Sequence, residues 1–331
     1  MNILLTGGAG YIGSHTAVAL SEAGHEVVLL DNFCNSQKSV LDRLERILGE
    51  VLPCVEGDVR DTVLVTRILQ DYKIDAVIHF AGLKAVGESF QKPIDYFDNN
   101  VSGTVNLLRA MRVSNIKTLI FSSSATIYGV PQYLPIDERH PTKAINPYGR
   151  SKLHIEEILA DVAASDPSLC IVSLRYFNPV GAHETGLIGE DPGGTPNNLM
   201  PYISQVALGK LLCLNVYGND YDTPDGTGVR DYIHVMDLAD GHLATLNFTE
   251  RNSGLHTYNL GTGKGNSVLE MVKAFEDASG KTIPINIKAR RAGDVAACYA
   301  RVDKANFDLN WKATRNLQKI CTSILNFQKH S

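Results

Sequence analysis

The sequence predicts an α/β protein: a doubly wound parallel sheet followed by a smaller α+β C-terminal domain. Three observations carry that prediction. Short β-branched runs alternate with helix-length segments through the first half. A glycine triplet directly follows the first apolar run, Ile3-Leu4-Leu5. The character of the chain changes after Asn178. Apolar strands separated by helices require right-handed crossovers, and those build a parallel sheet with helices on both faces.

In order, strands are expected at residues 2–6, 26–31, 52–56, 76–80, 118–122 and 170–176. Helices are expected between them at 11–23, 39–48, 61–71, 94–113 and 148–164. Gly24 stands where a left-handed cap would close the first helix. Asn146-Pro147 fixes the start of the fifth. Past Asn178, Gly/Pro-rich text from Asp191 to Pro196 opens a more irregular half, with helices expected at 199–209, 235–247 and 268–279. The domain boundary falls near residue 178, giving 1–178 and 179–331, with the second lobe expected to interleave with the first. There are no repeats and no low-complexity tracts.

Composition sets bounds on function. The 331 residues are 44% hydrophobic and 20% charged, ordinary for a globular protein. A formal charge of −5 argues against nucleic acid or an anionic membrane as main partner. No apolar stretch approaches the roughly 18–20 residues of a membrane span. The N-terminus enters the glycine loop without a basic leader, so no signal peptide is expected and the location is expected to be cytoplasmic. Six cysteines are scattered with no CxxC and no His/Cys cluster at metal spacing. They read as small buried hydrophobes in a reduced compartment, with no metal.

The loop Thr6-Gly7-Gly8-Ala9-Gly10-Tyr11-Ile12-Gly13 has the spacing G-x-x-G-x-x-G. Gly7, Gly10 and Gly13 allow a tight strand-to-helix turn, close backbone approach to a pyrophosphate, and close helix packing. The helix N-terminus then holds the anion. Asp31 ends the second strand, 18 residues after Gly13. A carboxylate there accepts from the adenosine ribose hydroxyls and repels a 2′-phosphate, which selects NAD over NADP and makes the sheet Rossmann-type. Asp58, after the third strand, is placed to accept from the adenine amine, or else to make an Asx turn.

The second motif is Tyr148-Gly149-Arg150-Ser151-Lys152. Residues four apart share a helix face, so Tyr148 and Lys152 project together. An adjacent ammonium favours the phenolate and is expected to lower the tyrosine pKa, making Tyr148 a general base. Ser124 ends the run Ser122-Ser123-Ser124 at the carboxyl edge of a strand, where α/β sheets bind ligands, and is the natural third member.

With these residues in place, the chain resembles the extended short-chain dehydrogenase/reductases, and more narrowly the UDP-galactose (UDP-glucose) 4-epimerases. Phe80-Ala81-Gly82-Leu83-Lys84, Arg175-Tyr176-Phe177-Asn178-Pro179, Pro196-Asn197-Asn198-Leu199-Met200-Pro201, Gly226-Thr227-Gly228-Val229-Arg230-Asp231-Tyr232 and Arg290-Arg291-Ala292-Gly293-Asp294 extend the likeness essentially end to end. The resemblance implies that Tyr148 takes the proton from the sugar 4-OH as hydride passes to NAD, and that Ser124 hydrogen-bonds that oxygen. It implies that Lys152 tunes Tyr148 while holding the nicotinamide ribose. Hydride then returns to the opposite face of a rotated 4-ketose. Phe80, Lys84, Asn99 and Tyr176 are implied near the nicotinamide, and Tyr11, Ile12, Asn32, Asn35, Ser36, Val59, Ala81 and Gly82 in the rest of the NAD site. Asn178, Asn198, Leu199, Arg230, Arg291 and Asp294, with Lys84, Ser124 and Tyr148, match UDP-sugar contacts. Residues 1–178 are thereby the NAD-binding domain and 179–331 the UDP-sugar domain, in a homodimer paired through the helices at 94–113 and 148–164.

The residues also weigh the alternatives. A sugar-nucleotide 4,6-dehydratase resembling this chain would carry Asp-Glu after the serine; here Ala125-Thr126 follow. A dehydrogenase that releases reduced cofactor would need a cysteine or carboxylate pair that is not evident, and an NAD-loaded sensor would not need Ser124, Tyr148 and Lys152 together. In the resemblance, the position four after Asp294 walls the sugar. It is Cys298 here, with Tyr299 next, unless the register slips by one. A small residue there implies turnover of UDP-GlcNAc/UDP-GalNAc as well.

Overall fold

A computed structural model describes residues 1–191, 198–291 and 293–330. Most of the expected Gly/Pro-rich opening, the Pro196-Asn197 pair and Ala292 lie outside the described residues. The sheet is built from β1 (Asn2–Thr6), β2 (Glu26–Asp31), β3 (Cys54–Glu56), β4 (Ala76–His79), β5 (Thr118–Ser124), β6 (Cys170–Tyr176) and β7 (Gly254–Leu260). All pairings are parallel, in the order β7-β6-β5-β4-β1-β2-β3.

Both faces of this sheet are covered, and the strands show why. Ile3, Leu5, Val27, Leu29 and Ile78 pack into one apolar layer with Ala17, Leu20, Leu238 and Leu246. The alternate residues Leu4, Val28, Leu30 and Val77 pack into the other with Leu69, Leu107, Ile155 and Leu159. Successive strand side chains point to opposite faces, so a strand buried on both sides reads as a continuous apolar run. Each such side chain contributes about 1.5–3 kcal/mol on burial.

Two expectations need correction. β7 was not expected. It comes from far beyond residue 178 and pairs with β6 along its whole length, Gly254 opposite Cys170 and Leu260 opposite Tyr176. Helix Val235–Thr249 returns from the same region to the layer that holds the glycine-loop helix Tyr11–Glu22. The single helix expected at 94–113 is a chain of shorter pieces, Pro93–Tyr96, a π-turn Phe97–Ser102 and helix Gly103–Val113, preceded by Val86–Gln91. The side chain of Asn100, inside the π-turn, accepts from Leu83 N and donates to Leu83 O and Ser151. The turn thus aims an amide at the loop after β4.

The second lobe gathers short strand pairs around helices Leu199–Ala207, Val268–Ser279 and Leu317–Gln328, whose apolar faces form their own core of Met200, Ile203, Phe275 and Ile320. Asn178–Val180 pairs with Tyr232–His234, and Val229–Arg230 lies between Asn266–Ser267 and Ala297–Cys298. Those segments face the carboxyl edge of the large sheet across one cleft.

Candidate active site

The order of the sheet reverses at β1, whose neighbours are β2 and β4. A crevice opens outside the carboxyl ends of strands at such a point. Here it widens into a cleft of about 1020 Å³ running between the lobes.

One half of the cleft is made largely of backbone. Gly7 has φ +68°, and a Cβ there would lie 2.7 Å from Ala81 N. A Cβ on Gly13 would lie 2.5 Å from Gly7 O, so the helix start sits tight on the loop. Gly10 at the N-cap brings no side-chain cap to the first-turn N–H groups, which leaves them for an anion. Asp31, 8% exposed, accepts from Ala9 N at 3.0 Å through one oxygen, and from Phe33 N and Ser36 Oγ through the other, both at 2.9 Å. Asn32, Asn35, Ser36 and Val59 line the same end of the cleft. This donor set and its cradle fit a dinucleotide.

Asp58 stands apart. Among the expected site residues it alone does not line the cleft. Its carboxylate is taken by Arg60 at 2.8–2.9 Å and by Asn32 at 3.2 Å, and the Arg60 hydrogen bonds hold its pKa down at about 2.

The centre of the cleft holds the chemical groups. Asn146 caps helix Pro147–Ser165 by accepting from Gly149 N at 2.7 Å, which presents Tyr148 and Lys152 to the strand edge. Lys152 is buried and donates to Ser122 O at 2.7 Å, its ammonium 4.8 Å from the Phe121 ring centroid. Burial lowers its pKa to about 7, against the opposing charge of Glu156. Ser124 Oγ accepts from Thr126 N and Thr126 Oγ1, at 3.2 and 3.0 Å, and keeps its own proton to donate. The expected lowering of the Tyr148 pKa is not found: burial raises it above its ordinary value, opposed only by the Ser124 hydroxyl. The ammonium that was to lower it is itself pushed toward neutrality. Tyr176 donates its hydroxyl to His242 Nε2, while His242 Nδ1 donates to Leu238 O at 2.8 Å. Burial holds that imidazole neutral, with its pKa near 4. The Phe80 ring lies 4.9 Å from His242.

The other half is lined by longer side chains, many of them already paired. Lys84 meets Glu190 at 3.3 Å, and Glu190 accepts from Asn198 at 2.7 Å. Arg291 pairs with Asp294 at 3.0 Å and lies over the Tyr217 ring. Arg230 lies opposite Cys298 in a strand pair, with its guanidinium on Val229 O. Asn178, Leu199 and Cys298 line the wall. Tyr299 is not among the lining residues; its ring packs on Gly265. Burial pushes the Cys298 thiol up to about 11, so it acts as a small wall residue and not a nucleophile.

Comparison with known proteins agrees with this layout. A family model described as GDP-mannose 4,6 dehydratase matches residues 4–324. A UDP-glucose 4-epimerase of Haemophilus influenzae is 55% identical over 100% of this chain and 98% of its own. The chain belongs to the UDP-glucose 4-epimerase family. Solved members superpose closely. One from Stenotrophomonas maltophila, with bound NAD and formylated UDP-arabinopyranose, gives a TM-score of 0.98 at 50% identity, covering 100% of this chain and 98% of that one. Another from Bifidobacterium longum, in complex with NAD+ and UDP, gives 0.96 at 55% identity with the same coverage.

Within the wider family that the dehydratase model describes, residues separate the epimerases. Ala125 and Thr126 form a 3₁₀ turn directly after Ser124, and neither carries an acid. Three groups that serve an epimerase site here were not expected from the sequence: Asn100, which fixes the loop after β4; His242, which fixes Tyr176; and Glu190, which gathers Lys84 and Asn198. Each acts through a partner outside its own element, and no local pattern marks it.

Proposed function

We propose that this chain interconverts UDP-glucose and UDP-galactose by epimerisation at C4, as an isomerase that holds NAD tightly and regenerates it in each turnover. The observation that carries the reading is the convergence of Ser124, Tyr148 and Lys152 on one cleft beside a glycine cradle and Asp31. Bound NAD supplies the hydride acceptor and donor at the sugar C4, so the sugar passes through a 4-keto state. The chain's own residues handle the proton. Tyr148 Oη removes it from the 4-OH and later returns it, and the Ser124 hydroxyl donates to the same sugar oxygen. Lys152, between the Ser122 carbonyl and the Phe121 ring, supplies the positive charge that a phenolate needs. Since burial leaves Tyr148 a reluctant acid, that charge must be present when substrate is bound.

Gly7, Gly10, Tyr11, Ile12, Gly13, Asp31, Asn32, Asn35, Ser36 and Val59 would hold the adenosine and pyrophosphate. Phe80, Ala81, Gly82, Lys84, Asn99, Tyr176 and Lys152 would hold the nicotinamide side. Asn178, Asn198, Leu199, Arg230, Arg291 and Asp294, with Lys84 shared between the two ligands, would hold the UDP-sugar: two arginines for the diphosphate, a carboxylate for the ribose. In this reading residues 1–178 make the NAD lobe, completed by β7, and the remainder of 179–331 makes the UDP-sugar lobe. We further assign a cytoplasmic location and a homodimer, paired through the helices around residues 93–113 and 147–165, where Ile94 is 80% exposed. No helix among the described residues is long and apolar enough to cross a membrane.

The placement of Cys298 in the wall supports acceptance of N-acetylhexosamines too. The experiment is a parallel assay of the purified protein on UDP-galactose and UDP-N-acetylgalactosamine without added cofactor. Both should turn over, and denaturation should release close to one NAD(H) per chain. Cys298→Tyr should overpack against the acetamide by about 1–3 kcal/mol, or roughly 5- to 160-fold in rate, and spare UDP-galactose. Equal loss on both substrates would remove Cys298 as the gate.

A further inference from the structure

Behind the wall that carries Ser124 and Tyr148 lies a buried charged network that the proposed reaction does not use. Glu156 stands one turn beyond Lys152 on the same helix, so Tyr148, Lys152 and Glu156 follow one another along one face. Its carboxylate is held bidentately by Arg175, with Nε 3.1 Å from one oxygen and Nη2 2.6 Å from the other. Ser123, the neighbour of Ser124, donates to the same carboxylate. Arg175 continues to Tyr128 at 2.9 Å, in the turn that follows Ser124, and Tyr128 donates to Asn259 of β7 at 2.7 Å. Both charged side chains are about nine-tenths buried, Arg175 at 9% exposure and Glu156 at 10%.

Stability alone does not call for these charges. Replacing a buried ion pair by well-packed apolar residues is often neutral or stabilising. The network's position gives it another use, since its members adjoin the catalytic groups: Ser123 precedes Ser124, Tyr128 ends the turn after it, and Glu156 stands one turn beyond Lys152. We propose that Glu156 is a positioning residue: anchored through Ser123 to the strand that carries Ser124 and through Arg175 to β6 beside it, it fixes the spacing of Ser124 and Tyr148 and keeps the Lys152 ammonium charged. The groups facing Lys152 leave that task to Glu156. From β5 come only the Ser122 carbonyl and the Phe121 ring. From β4 comes His79, which Thr6 and Thr104 hold in hydrogen bonds and which burial keeps neutral. From the loop after β4 comes Gly82, beside the Asn100 amide, and on its own helix Tyr148 is a neutral phenol.

This inference rests on the epimerase reading, and the test separates the two. Native protein and variants of the full chain are compared for kcat and KM on UDP-galactose, the pH profile of kcat, and the thermal midpoint. Glu156→Gln alone would strand a buried guanidinium, so the informative form is Glu156→Met with Arg175→Met. It should keep a near-native midpoint and a native KM, while kcat falls on the order of 10²-fold, the cost of a misplaced reacting group. Its alkaline loss of activity should begin at lower pH, because an uncompensated Lys152 loses its proton sooner. Native kcat and a native pH profile in that variant overturn the proposal. If the pair variant does not fold, Ser123→Ala and Glu156→Asp, which keep both charges, take its place: reduced kcat at a native midpoint supports the proposal, and native kcat in both overturns it. Native protein that fails to interconvert UDP-galactose and UDP-glucose overturns the functional reading and this inference together. Active native protein with unaffected variants overturns only the role of Glu156.

Discussion

The two halves of the cleft are built in different ways. In the cofactor half the ligand-facing groups are backbone N–H groups, glycines and side chains already fixed by the fold. Asp31 is bound to Ala9 and Ser36, Lys152 to Ser122, and Tyr176 to His242. In the sugar-nucleotide half they are long charged side chains paired with one another. Lys84 and Arg291 are exposed, and their partners Glu190 and Asp294 are groups a ligand would have to displace or recruit. Preorganisation suits a cofactor that stays, because the ordering cost is met once in folding. Exchangeable pairs suit a substrate that enters, turns and leaves.

The contrast can be broken at the border between the halves. Tyr148→Phe removes the proton acceptor and leaves the glycine cradle and the ion pairs of the two halves in place. Activity should fall by roughly 10²–10⁴-fold with NAD content and fold unchanged. Near-native turnover would show that the proton moves elsewhere. Within the cofactor half, Gly7→Ala places a methyl group against Ala81 N at a residue with positive φ. It should destabilise the protein by about 1–3 kcal/mol and strip bound NAD, read by thermal melting and by NAD released on denaturation. In the substrate half, Arg291→Ala breaks an exposed ion pair and an exposed contact with the Tyr217 ring, so the midpoint should stay near native. Loss of a charged hydrogen bond to the ligand should raise KM by roughly 10- to 100-fold with kcat and NAD retained. If Arg291→Ala lowered NAD content, the two halves would not be separable.

Acid sharpens the comparison most gently. His15, His79 and His242 border the cofactor half, and burial holds them neutral with pKa values of about 3, 3 and 4. In the unfolded chain each returns to about 6.5, so below that pH the unfolded state binds more protons and stability rises with pH. The contribution of these residues is complete above about pH 6.5 and is lost progressively as pH falls toward about 3. The thermal midpoint should decline from neutral pH downward, with NAD release accompanying it. A flat midpoint across that range would contradict the assignment.

Much of this was legible in the sequence, and the reasons differ by element. β1, β2 and β4 are buried on both faces and carry apolar runs at their centres; the glycine loop and Asp31 follow from the turn and the ribose they serve. β7 was not legible because Gly-Leu-His-Thr-Tyr-Asn-Leu mixes polar residues and sits at the sheet edge, half of it partly exposed. The π-turn at Phe97–Ser102 was hidden because the bonds that Asn100 makes from it, to Leu83 and Ser151, are tertiary and leave no local pattern. The Tyr148 shift was misjudged because helix spacing shows that Lys152 is near, but not that burial acts on both groups. Glu156 was legible only as one more residue on a helix face; its partners come from other strands.

The central claim is that hydride leaves and returns to C4 within one closed site. UDP-galactose carrying deuterium at C4 tests it most directly when incubated with the purified protein and no added cofactor. The account predicts UDP-glucose with the deuterium retained at C4 and no free NADH accumulating. Loss of the label to solvent, or steady release of reduced cofactor, would contradict it.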